Sequence, residues 1–288
     1  MSIIWLGDTE GKNPYIVGGK ASNIGFLSGQ YRIPQGFVIT PVNLNILTLN
    51  VSNIPGQILD EIISSYRELS SIAGVVDVPV AVRSSALDED GDSLSFAGQY
   101  DTYLNVIGED SVAIAVSKCW NSAHTERAIA YRSKHGVVER YETIPVLVQQ
   151  LIPADVSAIV FSNNPVTGNT NEIYINTAFG LGESLVGGTV NPDTYVISKN
   201  DLKIISRTIG IKTVMTVLIE SGTEEVDLSS QYWRKPTIND SQALDIASIA
   251  IELETHMGWA VDIEMAYKNT DLYILQCRPI TNRKLGTH

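Results

Sequence analysis

With 288 residues, 44% of them hydrophobic and 18% charged, the chain is long enough to bury a large core and has the balance of a folded protein. A formal net charge of −12 removes the cationic excess that non-specific nucleic-acid binding needs, although a few local cations can still hold a phosphate. No apolar run approaches the ~18 residues of a membrane span. The N-terminus MSIIWLGDTEGKN lacks a basic-then-apolar signal and reads as a short strand, and Cys119 and Cys277 form no C-x-x-C pair, so a cytoplasmic protein without a disulfide framework is expected.

The elements that follow mix α and β. Lys20 to Ser28 predicts a short helix after the Gly18-Gly19 turn, and Gly36 to Thr40 a strand. Helical spacing runs over Gln57 to Leu69 and over Ser111 to His135, with Gly136 as a stop. Val146 to Gln150, Ala158 to Ser162, Glu172 to Asn176 and Thr194 to Ser198 read as β-branched strands. Asn239 and Gln242 form a capping pair for a helix over Asp240 to Met257, ended by Gly258. Ala260 to Tyr267 and Leu272 to Cys277 predict a hairpin around Asn269-Thr270-Asp271.

The hairpin carries the most chemistry. Asp262 and Glu264 alternate with Val261, Ile263 and Met265, and Gln276 and Arg278 stand two apart on the returning strand. A three-residue turn sets Glu264 opposite Gln276 and Asp262 opposite Arg278, with partners roughly 5 Å apart. A two-residue turn shifts the register by one and separates the pairs. Two carboxylates and an amide oxygen are hard donors suited to Mg²⁺, with the arginine placed for phosphate oxygens. The same pattern also fits a half-solvated hairpin with an ordinary Asp–Arg pair.

Three glycine-containing segments are further candidates. In VGGKASNIGFL the glycines let backbone approach an anion and Lys20 stands at a helix start, although the spacing is not that of a Walker A loop and a surface lysine after a turn reads equally well. In AVRSSALDEDGDSLSFAGQYDTYLNV, Arg83 closes a strand and Ser95 to Gln99 forms a small loop. There Gly98 exposes backbone amides, with the Thr102 hydroxyl nearby; an ordinary hairpin loop is the other reading. In TAFGLGESLVGGTVNPDTY, Gly180-Leu181-Gly182 is not a Rossmann fingerprint. It is either a loop bringing Glu183 to a site or a simple connection.

In order, GGKASNIG, IPQGFVIT, VRSSALDED, SFAGQYDTYLNV, VLVQQLIPADVSAIVFSNNPVTG, GLGESLVGGTVNPDTY, DIEMAY and LQCRPIT resemble the N-terminal ATP-binding domain of the pyruvate phosphate dikinase, phosphoenolpyruvate synthase and rifampin phosphotransferase family, from about Gly18 to Thr281. The resemblance implies an α+β ATP-grasp fold over 1–288, with lobes at about 1–145 and 146–288 holding nucleotide between them. It implies that Lys20 and Arg83 contact ATP phosphates, that the Gly98 loop covers them beside Thr102, and that Val148-Gln149-Gln150-Leu151 binds the adenine edge through backbone groups with apolar side chains flanking the ring. Glu264 and Gln276, with Asp262 close by, would hold Mg²⁺, and Arg278 would stabilise charge on the transferring phosphates. The sequence departs from the family pattern at Gly91, where relatives often have Pro, at Ala158, where many have Gly, and at Met265, where many have Trp.

Family members add a swivelling domain with a phosphorylated histidine and an acceptor-binding region, neither of which is expected within these residues. His124, His135, His256 and His288 lie outside any Gly-rich histidine motif and read as helix-surface, interior or terminal residues. The expected activity is phosphoryl or pyrophosphoryl transfer from Mg-ATP to a histidine on a separate domain or protein, releasing AMP and phosphate, with an unspecified small-molecule acceptor beyond it. The alternatives are an ATP-grasp carboxylate–amine ligase that forms an acyl phosphate and ADP, and a non-catalytic ATP-sensing subunit.

Overall fold

The computed structural model describes residues 2–41, 51, 54–86, 90–91, 94–95, 102–126, 128–129 and 143–280. The chain divides into two compact units, Met1–Leu151 with Ile219–Gly222, and Ile152–Leu218 with Thr223–His288.

The first unit is built on β1 (Ile3–Trp5), α1 (Pro14–Leu27), β2 (Gly36–Ile39), α2 (Gly56–Ala73), β3 (Val80–Ser84), the two-residue pair β4 (Asp90–Gly91) and β5 (Leu94–Ser95), β6 (Thr102–Val106), α3 (Glu109–Ser122) and β7 (Val146–Gln150). Its sheet runs β1-β2-β7-β3-β6, every neighbour antiparallel. Ile62, Tyr66 and Leu69 on α2, and Val112, Val116 and Trp120 on α3, recur at helical spacing and pack with Phe37, Val80, Val82 and Val148 of the strands. Trp120 is fully buried and donates its indole N–H to the Ile144 carbonyl at 3.1 Å, so this aromatic fills the core without an unsatisfied polar atom. The helix expected over Ser111 to His135 is interrupted after Ser122, where Ala123 and His124 form a turn, and Glu126, Ala128 and Ile129 are helical again. The Ser122 and Thr125 hydroxyls donate to the Cys119 and Ser122 carbonyls, side-chain bonds that compete with helix continuation. Gly136, the expected stop, lies outside the described residues.

The second unit contains β8 (Val156–Phe161), β9 (Glu172–Phe179), the single turn α4 (Glu183–Val186), β10 (Asp193–Ser198), β11 (Ile204–Thr208), β12 (Val214–Leu218), β13 (Thr223–Asp227), α5 (Asp240–Met257), β14 (Val261–Lys268) and β15 (Asp271–Pro279). Its sheet runs β11-β10-β9-β8-β14-β15, again antiparallel throughout, while β12 and β13 form a separate ribbon. Helix α5 lies on this sheet through Ala243, Ile246, Ala247, Ala250 and Leu253. Its Asn239–Gln242 capping box is formed in both directions at 2.9 Å, and Gly258 closes it, as the sequence predicts. Strands β11 to β13 carry Ser, Thr, Arg and Glu among their apolar residues and gave too weak an alternation to be predicted.

Candidate functional site

In the first unit the expected phosphate contacts Lys20 and Arg83, with Thr102, lie near the end of β3, while Gln149 and Gln150 lie across from its start. Arg83 lies on β3 directly across from Thr102 on β6, so the two side chains share one face of the sheet. Lys20 lies two residues beyond a break in α1. Gly18 has φ 78° and ψ 173°, outside helical space, and the helix proper starts after it. A Cβ at Gly18 would overlap the Ser85 carbonyl oxygen, so the glycine serves a close approach of backbone to backbone. The anion approach read from the Gly-Gly pair gives way to this internal packing at Gly18. The Ser85 hydroxyl accepts the Ala21 amide at 2.9 Å, and the Gly19 amide donates to the Ala86 carbonyl at 3.4 Å. Ser85, which sequence reasoning passed over, therefore ties the start of the Lys20 helix to the strand carrying Arg83. Gly98 lies outside the described residues.

Strand β7 is central in this sheet, between β2 and β3. The Gln149 side chain is buried and donates to the Pro34 carbonyl at 3.3 Å. The Gln150 amide donates to the Gln35 carbonyl and the Leu151 amide to the Pro79 carbonyl, each at 2.8 Å. Both N–H groups are thus occupied within the fold.

In the second unit β14 and β15 bring four polar residues to one face. Asp262 pairs with Arg278 and Glu264 with Gln276. The route to this register differs from the one expected. Lys268 pairs with Asp271, so the turn has two residues, Asn269 and Thr270, and the register from Lys268 to Met265 is the shifted one. A bulge at Leu275 then adds one residue to β15 and restores the pairing for Gln276 and Arg278. Asp155 fixes the turn, accepting the Asn269 amide at 2.7 Å and the Lys268 ammonium at 2.9 Å. The Asn269 amide first, and Lys268 after it, hold the Asp155 carboxyl below its ordinary value.

Asp262 and Gln276 are buried and Glu264 is half-buried. Arg278 donates from Nε to Asp262 Oδ2 at 2.8 Å, so the Asp–Arg pair exists alongside the Glu264–Gln276 pair. Three oxygen-bearing side chains on one face, with no thiolate or imidazole among them, fit a hard cation such as Mg²⁺. Glu183 begins α4 and is exposed, and α4 packs on β8, β9 and β12. Its loop is anchored by Gly180 (φ 77°), whose Cβ would overlap the Thr216 carbonyl oxygen, and by the Leu181 amide, which donates to that oxygen at 2.9 Å. An apolar cavity of about 540 Å³ in this unit is lined by Pro153, Phe179, Leu181, Met215, Leu228 and Tyr232 among others, and by none of the expected site residues.

A second feature escaped the sequence reading. Asp193 and Lys212 form an ion pair with no exposed side-chain surface. The Asp193 carboxylate also accepts the Gly210 amide at 3.0 Å, the Thr237 amide at 2.7 Å and the Thr237 hydroxyl at 2.8 Å, while Lys212 donates to the Gly210 carbonyl at 3.1 Å. Five hydrogen bonds satisfy the buried charges, as a low-dielectric interior demands.

Residues 45–287 match the family model described as pyruvate phosphate dikinase, AMP/ATP-binding domain. The chain is 42% identical to a probable phosphoenolpyruvate synthase from Pyrococcus horikoshii, over 81% of this chain and 30% of that protein. It is 33% identical to a rifampicin phosphotransferase from Bacillus subtilis, over 97% of this chain and 36% of that one. It thus spans about a third of the length of these curated relatives. Among solved structures, PH1788 from Pyrococcus horikoshii OT3 is similar at 14% identity and a TM-score of 0.44, over 92% of this chain and 91% of that one.

Proposed function

The chain belongs to the pyruvate phosphate dikinase AMP/ATP-binding domain family, and from that premise we propose that it binds Mg-ATP in an ATP-grasp fold and passes a phosphoryl or pyrophosphoryl group to a histidine on a separate domain or protein. The observation that carries the proposal is the hairpin face bearing Asp262, Glu264, Gln276 and Arg278. Glu264 and Gln276, with Asp262 beside them, would hold Mg²⁺, which supplies positive charge to phosphate oxygens when bound. Arg278, fixed by Asp262, presents a guanidinium on the same face to stabilise charge on the transferring group. On the first unit Lys20 and Arg83 bind phosphate oxygens, with Thr102 offering a hydroxyl opposite Arg83 and the Gly98 loop covering the phosphates. Glu183 is assigned to the same nucleotide site.

The segment Gln149-Gln150-Leu151 flanks adenine in this reading. Because the Gln150 and Leu151 amides are engaged by Gln35 and Pro79, its polar contribution falls to other backbone groups. Transfer of a phosphoryl group needs positioning and charge stabilisation more than covalent help from this domain, and the residue set contains those parts. AMP and phosphate are the expected by-products, and a small-molecule acceptor receives the group from the histidine. A carboxylate–amine ligase would release ADP instead, and the relatives, named as phosphoenolpyruvate synthases and rifampicin phosphotransferases, favour the first scheme.

Glu264→Ala tests the metal assignment. Titration calorimetry should show Mg-dependent ATP binding weakened by at least tenfold, in line with loss of a metal ligand or its orienting shell. Unchanged binding would sink the assignment. Without a histidine-bearing partner, the chain should form AMP from ATP only at a trace rate in a nucleotide-product assay; robust AMP production by this polypeptide alone overturns transfer to a separate histidine.

A further inference from the structure

We propose that Ser85 is a positioning residue that sets Lys20 against Arg83, so that the two cations act on the phosphates as one unit. The inference rests on the reading of Lys20 and Arg83 as phosphate contacts. Its structural half stands on three observations. The Ser85 hydroxyl, with no exposed surface, accepts the amide of Ala21, the residue next to Lys20, at 2.9 Å. Gly18 lies so close to the Ser85 backbone that no side chain fits between them. Ser85 is itself anchored through its own amide to the Pro145 carbonyl at 2.9 Å, just before β7, and follows Arg83 by two residues along the chain.

The consequence is mechanical. An α-helix starts with amides that lack intrahelical acceptors, and here one of them is satisfied from a different element, 64 residues away in sequence. The first turn of this helix, which carries Lys20, is therefore referenced to the end of β3 instead of to the loop that precedes it. The Ser22 hydroxyl closes the same turn by donating to the Gly19 carbonyl at 2.9 Å. A lysine has a long, rotamer-rich side chain and holds a phosphate as a point charge, so its root must be fixed if its reach is to match that of a guanidinium on another element. Ser85 supplies that fixed root.

Ser85→Cys and Ser85→Ala test this in the full chain. The thiol preserves volume and accepts hydrogen bonds weakly, which guards against simple misfolding. Amide hydrogen exchange of the peptide covering residues 19–22 should accelerate in both variants without nucleotide; protection equal to wild type overturns the anchor. Titration with Mg-ATP should show roughly five- to tenfold weaker binding for Ser85→Ala, the size of a lost helix-start hydrogen bond, with adenosine binding within about twofold of wild type. In a Lys20→Met background, adding Ser85→Ala should cost less than about twofold, because the residue it positions is gone. Losses that multiply in the double variant show that Ser85 acts independently of Lys20 and overturn the proposal. Lys20→Met that binds Mg-ATP like wild type defeats the phosphate reading itself, and the exchange result still decides whether Ser85 holds the helix start.

Discussion

Asp193 and Lys212 show what a single residue can hide from its sequence context. Lys212 stands in Gly-Ile-Lys-Thr-Val, a setting that reads as solvated, yet its side chain is wholly enclosed. The pairing of β11 with β10 brings Lys212, four residues past β11, beside Asp193 at the start of β10, and no local pattern encodes that. Because a broken buried pair strands a charge, Lys212→Met should cost about 3–5 kcal/mol in urea unfolding, and Asp193→Asn/Lys212→Met together less than the sum. Additive losses would mean that the two groups are satisfied separately. Asp262 with Glu264, and Gln276 with Arg278, were legible by contrast because period-two alternation puts each pair on one face of its own strand, while the sharing of a face between the pairs depends on register. Ser85 was missed because a serine after an arginine has no distinctive spacing, and its partner is far away in sequence.

At the scale of the element, the hairpin was predicted with the correct pairs from an incorrect turn. Turn length and bulge are two shifts of one residue that cancel, and the hydrophobic pattern reports only their sum. Leu275 is the residue that the bulge leaves unpaired. Deleting it leaves Met265 opposite Ile274 and Glu264 opposite Gln276 in an unbroken ladder, so Mg-dependent ATP binding should persist in calorimetry; loss of binding would show that the bulge has a role beyond register. Asp155 acts on the same turn. Its carboxyl lies below the ordinary 3.8, so its contribution is complete above that pH and fades as pH falls through the lowered folded value. Thermal melts of wild type and Asp155→Asn should thus differ between pH 5 and 8, as an order-of-magnitude window, and converge in strong acid. The helix expected as one element is interrupted after Ser122, where hydroxyl-to-carbonyl bonds compete with its continuation, and helical residues return at Glu126, Ala128 and Ile129.

At the scale of the molecule, each of the two units closes its own antiparallel sheet with helices packed upon it. The mixed α and β composition and most of the strands were visible in β-branched runs and caps. The β12–β13 ribbon was not, because strands stabilised mainly by their mutual ladder need little apolar alternation. A nucleotide that binds the folded chain and not the unfolded one stabilises it by mass action. Mg-ATP at about a hundred times its dissociation constant should add roughly 2.7 kcal/mol, read as a higher melting temperature that chelation of the metal reverses.

The enclosure of Lys212 has a practical use as well. An amine-acylating reagent will modify surface lysines such as Lys203 at once, but it can reach Lys212 only when the second unit opens. The delay between these two labels, followed by peptide mass spectrometry, is a clock for the opening of that unit, and nucleotide that binds there should slow it.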